Sequence, residues 1–143
     1  IDEVPSHGLT IGIASIADGI LKLWFTPQFH TEREQALAGC RNMLLRQPAS
    51  GYTATCAALR DADYTEAATM ISVATLCVVG DQDGSTPPAL VRSMADLIPG
   101  AQFKIIDGAG HIPCIEQPAT LVALIRRFLA LLPCGAPGSG VRR

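Results

Sequence analysis

The sequence has 143 residues, 48% hydrophobic and 17% charged, with a formal net charge of −2. This is enough chain for one domain with a real core. The near-neutral balance offers nucleic acid and anionic membranes no electrostatic hold, no apolar run is long enough to span a bilayer, and the charged, polar start does not resemble a signal peptide.

Residues 1–10 read as polar and irregular. Apolar residues at Ile13, Ile16, Ile20 and Leu23 predict a helix over 11–25 that breaks at the TPQF stretch. A second helix is expected over 31–47, with Thr31 as its cap and Glu32 and Glu34 in its first turn. PASG breaks it, a third helix covers 52–64, and helical signal continues through YTEAATMISV. The pattern then changes. TLCVVG (75–80) is a short apolar run of the kind a buried parallel strand shows, and DQDGSTPP after it is a turn. Residues 88–98 read as a helix with proline at its start, 101–107 as a strand, and GAGHIPCIEQ as a loop. Residues 118–132 form an amphipathic helix with Leu121, Ile125, Phe128 and Leu132 in one stripe and Arg126 and Arg127 facing away. A flexible tail follows, and there is no internal repeat.

Strand, helix, strand, helix is a βαβ unit with one more helix, so the expected class is α/β with a parallel pair. Two parallel strands do not make a self-standing sheet, and this points to an incomplete fold or a needed partner. The five cysteines (Cys40, Cys56, Cys77, Cys114 and Cys134) are odd in number, scattered and without a CxxC pair. They suggest neither a zinc site nor a disulfide framework, and they fit a reducing, cytoplasmic setting. Cys56 reads as a small buried packing residue.

Chemistry in an open α/β sheet gathers at the carboxyl ends of the strands. One such end carries Asp81 and Asp83, the other His111. Neighbouring parallel strands lie about 5 Å apart, so loops leaving one edge bring Asp83 within reach of His111. A carboxylate on one imidazole nitrogen fixes the tautomer and frees the other nitrogen to accept a proton. Taken singly, each residue also has a plain reading: a turn aspartate and a solvated loop histidine.

These residues carry a resemblance. TLCVVGDQDGSTPP, followed by GAGHIPCIEQP and a closing amphipathic helix, resembles the C-terminal part of an α/β-hydrolase. The family's G-x-x-D pattern selects Asp83 over Asp81, and its G-H turn before E-x-P matches His111, Glu116 and Pro118. Upstream, IADGILKLWFTPQF and GYTATCAALRDADY resemble the cap of 3-oxoadipate enol-lactonases. The resemblance implies a partial fold: a helical cap-like segment over 1–70, the C-terminal βαβα part of the core over 71–132, and a tail over 133–143. It also implies hydrolysis of a small carboxylated lactone by a Ser–His–Asp mechanism, with His111 as base and then acid and Asp83 as its orienter. No cofactor or metal is implied. Trp24 would lie over the lactone, or else pack in the cap. A basic residue often precedes this tryptophan in the family, but here the position is Leu23, with Lys22 on another helical face. Arg60 is the other candidate cation for the substrate carboxylate, with an ion pair to Asp61 as its plainer role.

The family's nucleophile sits in G-x-S-x-G, and that pentapeptide does not occur in this sequence. Ser15, Ser72 and Ser85 lack the glycine frame. The expectation is therefore an enzyme by family whose chain alone is inactive and needs an N-terminal half. Three other readings stay open. One is a different α/β-hydrolase, an esterase or carbon–carbon bond hydrolase. Another is a non-catalytic fragment that self-associates through its sheet edge. The last is a haloacid-dehalogenase-type phosphatase, with Asp81 as nucleophile and Asp83 as acid. That fold needs a later lysine and paired carboxylates, and only Lys104 follows.

Overall fold

The computed structural model describes residues 12–132. The expected tail, with Cys134, lies outside them, as do residues 1–10. Five helices come first: α1 (Ala14–Trp24), α2 (Pro27–Glu32), α3 (Glu34–Leu45), α4 (Ala49–Asp61) and α5 (Thr65–Thr69). They are followed by β1 (Leu76–Gly80), α6 (Pro88–Leu97), β2 (Gln102–Ile106), α7 (Pro113–Glu116) and α8 (Pro118–Ala130). β1 and β2 pair in parallel, Leu76 opposite Gln102 and Gly80 opposite Ile106, so both strands end at the same edge. α6 packs on both strands, and α1 and α2 pack on α3.

The βαβ part matches the expected order, with strand and helix ends within a residue or two, except that the expected GAGHIPCIEQ loop contains the short helix α7. The first half differs in three places. TPQF ends α1 as expected, but it also starts α2. Thr26 is the N-cap, its hydroxyl accepting from Phe29 N–H at 3.2 Å, and Pro27 takes the first helical turn, where a missing N–H costs nothing. Thr31 is therefore inside α2 and caps nothing, and α3 begins at Glu34. PASG likewise opens α4 after Pro48. In α1 the buried face is Ile13, Ala17 and Leu21, while Ile16 and Leu23 are exposed. Ala17 is fully buried because a small side chain there lets another element come close to α1, and the stripe runs along 13, 17, 21 instead of 13, 16, 20, 23.

Three apolar clusters hold the molecule. Ile13, Ala17 and Leu44 form one, with Trp24 and Tyr52 at its border. Leu21, Phe25, Phe29 and Cys40 form the second, which receives Ile112 and Ile115 from the segment after β2. Cys77, Ala95 and Ile98 form the third, against Ile71 and Phe103. The second cluster ties the first-half helices directly to the turn that carries His111. Cys56 is exposed, contrary to its expected packing role, because α4 buries no residue at all. The expected stripe of α8 has only partial cover: no residue of α8 is buried, and Val122, Ile125 and Leu129 are exposed.

Candidate active site

β1 ends in Gly80, whose missing side chain is a steric requirement: a Cβ there would collide with the carbonyl oxygens of Ala109 and Gly110. The loops leaving the two strands are thus pressed together. They are also bonded to each other, Gln82 N–H to Ala109 O at 3.0 Å and Ala109 N–H to the Asp81 carboxylate at 3.2 Å.

This contact brings Asp83 to His111. The imidazole Nδ1 lies 2.9 Å from Asp83 Oδ2 and 3.1 Å from Oδ1. Asp83 is buried, and its carboxylate also accepts from Ser85 N–H, Thr86 N–H and the Thr86 hydroxyl, each at 2.8 Å. Burial pushes the Asp83 carboxyl up. The Thr86 N–H, His111, the Thr86 hydroxyl and the Ser85 N–H outweigh it and hold the carboxyl below its ordinary value. An ionised carboxylate only accepts, which assigns the proton to Nδ1 of His111 and leaves the lone pair on Nε2. Nε2 makes no hydrogen bond among the described residues, and the His111 side chain is 34% exposed while that of Asp83 is 4% exposed. The pair therefore has one nitrogen held and one free, the arrangement a general base needs.

Trp24 stands beside the pair, its ring stacked near the imidazole with centroids 6.2 Å apart and planes 29° from parallel. The end of α1 is bonded to both loops: His111 N–H donates to Trp24 O at 2.8 Å and Gly84 N–H to Leu23 O at 3.3 Å. Just beyond, Thr26 donates its N–H and hydroxyl to Glu116 Oε1, each at 2.8 Å, and Gly110 N–H donates to Glu116 Oε2.

No family model matches the chain. Individual proteins do. The chain is 30% identical over 118 residues to 3-oxoadipate enol-lactonase 1 of Acinetobacter baylyi, covering 82% of this chain and 44% of that protein. The enol-lactonase from Burkholderia xenovorans LB400 superposes with a TM-score of 0.81 at 30% identity, over 85% of this chain and 46% of that one. A thermophilic esterase from Thermogutta terrifontis, in its malate-bound structure, gives 0.79 at 29% identity, over 87% and 46%. The fold is the C-terminal part of an α/β-hydrolase. The chain spans about half the length of the relatives it matches.

Within this hydrolase fold the other candidates fall out unequally. Arg60 lies on α4 with its guanidinium on both oxygens of Asp61, at 2.7 and 2.9 Å, and is largely exposed. The structure thus gives it the surface ion pair and not a place against His111. Lys22 is exposed and lines a different groove, with Asp18, His30 and Arg41. Asp81 serves the loop contact, and the α/β-hydrolase fold removes the phosphatase reading that needed it as nucleophile. Ser15 sits in the first turn of α1 with its hydroxyl on Gly12 O at 3.0 Å.

Sequence reasoning missed Thr86 and undervalued Glu116. Thr86 follows Asp83 by three residues, the spacing of a side-chain-capped turn, and that signal was available. The partners of Glu116 include Thr26, 90 residues away, and no local pattern announces such a contact.

Proposed function

We propose that this chain supplies the acid and base of a serine hydrolase whose substrate is a small carboxylated enol-lactone, 3-oxoadipate enol-lactone being the one that the names of its relatives indicate. The observation that carries the proposal is His111 Nδ1 at 2.9 Å from a buried, four-donor Asp83, with Nε2 free. A serine from the half of the fold not represented in this sequence attacks the lactone carbonyl carbon as its proton passes to His111 Nε2. Asp83 stabilises the imidazolium. His111 then returns the proton to the departing enol oxygen as the ring C–O bond breaks. Water repeats the sequence in deacylation: its proton goes to Nε2, its oxygen bonds the acyl carbon, and serine leaves with the proton restored. Trp24, beside the imidazole, would cover the lactone, and the helices up to residue 70 would form a cap over it. The 143-residue chain alone would not turn over.

The similarity to a thermophilic esterase favours one second reading, a simple carboxylic ester as substrate on the same residues. Substrate profiling separates the two. The 143-residue chain is combined with an N-terminal half of an enol-lactonase carrying G-x-S-x-G and offered enol-lactone and p-nitrophenyl acetate. A kcat/KM at least about a hundredfold higher for the lactone supports the lactonase reading. A preference for the ester transfers the site to the esterase reading.

A further inference from the structure

We infer that Glu116 is the positioning residue for His111: its buried carboxylate latches the α1–α2 joint to the histidine turn. This rests on His111 being the base.

Glu116 and Thr26 are both buried, and the carboxylate spends both oxygens on three protein donors. Two belong to Thr26, at the joint that follows Trp24, and the third is the N–H of Gly110, the residue before His111. The backbone of His111 closes the ring by donating to Trp24 O at 2.8 Å. Space enforces the same closure. A Cβ at Gly110 would collide with Trp24 O and come within 3.0 Å of Glu116 Oε2, so the joint and the turn touch at backbone level. Trp24, stacked on the imidazole, is carried by the joint; Asp83, bonded to Nδ1, is carried by the loop whose Gly84 N–H donates to Leu23 O. One carboxylate therefore fixes the Trp24 side of His111 relative to its Asp83 side. Only an acceptor at both oxygens satisfies the set. A glutamine at 116 accepts at one oxygen and turns an NH2 toward a donor already there.

The test is native-state hydrogen exchange and the low-field Nδ1–H resonance of His111, measured on the 143-residue chain as wild type, Glu116→Gln, Thr26→Val and Thr26→Ser. Glu116→Gln is expected to lower protection of the Gly110 and His111 amides about tenfold or more and to broaden the Nδ1–H resonance, with the β1–β2 ladder amides unchanged. Thr26→Val, which keeps the Gly110 bond, is expected to give a few-fold loss at His111 beside the loss at Phe29 that follows from the missing α2 cap, with Gly110 unchanged, and Thr26→Ser no change. If Glu116→Gln fails to fold, the Thr26 pair decides by the same contrast. Unchanged exchange at His111 in Glu116→Gln overturns the inference. So does an equal loss at the β1–β2 amides, which marks Glu116 as a general structural group. No hydrolysis enters these readouts, so the failure of the latch and the failure of the hydrolase reading are separate results.

Discussion

At the scale of single residues, the site is set by what surrounds Asp83. Four donors converge on a buried carboxylate and hold it below its ordinary value. A carboxyl depressed in the folded state contributes stability in full above its unfolded value, and loses it as pH falls through the folded one. The urea stability of wild type over Asp83→Asn is expected to shrink on acidification below about pH 4, relative to its value at about pH 5. A difference unchanged down to pH 2 would contradict the depressed carboxyl. Asp83 and His111 were legible in the sequence because each follows a strand end directly. Glu116 was not, since its meaning lies in a partner 90 residues away.

At the scale of elements, the strand ends work as a site because their loops touch at backbone level. Gly80→Ala would drive a methyl into the Ala109 and Gly110 carbonyls. It is expected to cost about 3 kcal/mol in urea unfolding, since backbone cannot step aside as a flexible side chain does. A loss under about 0.5 kcal/mol would mean the two loops part freely. The βαβ part was readable because TLCVVG, PALVRSMADLI and AQFKIID each carry a plain period and end at a glycine or proline. The helical half was readable as helices but not in its joints. Thr26-Pro27 and Pro48 read locally as breaks, and they are, but a proline near a helix start also opens the next helix. The buried face of α1 shares Ile13 with the expected stripe and then shifts by one position to Ala17 and Leu21, because a small alanine packs where hydrophobicity alone points to Ile16.

At the scale of the whole molecule, the described residues leave apolar surface uncovered, including Val122, Ile125 and Leu129 of α8 and Ile105 of β2. Faces of this kind drive association. Light scattering of the 143-residue chain is expected to give a mass above its 15.1 kDa, and a single one-to-one complex when an N-terminal hydrolase half is added. A monodisperse monomer that ignores the added half would speak against a partner-dependent fold. Among the described residues no helix is long and apolar enough to cross a membrane. The central claim is that His111 and Asp83 supply base and orienter to a serine they meet only in the complete fold. Its most direct measurement is enol-lactone hydrolysis by the complemented enzyme, with wild type, Asp83→Asn and His111→Ala in the 143-residue part. Complementation is expected to create activity that neither part has alone, with kcat falling on the order of ten-thousandfold in Asp83→Asn and at least as far in His111→Ala. A complex that forms and hydrolyses the lactone equally well without His111 would contradict it.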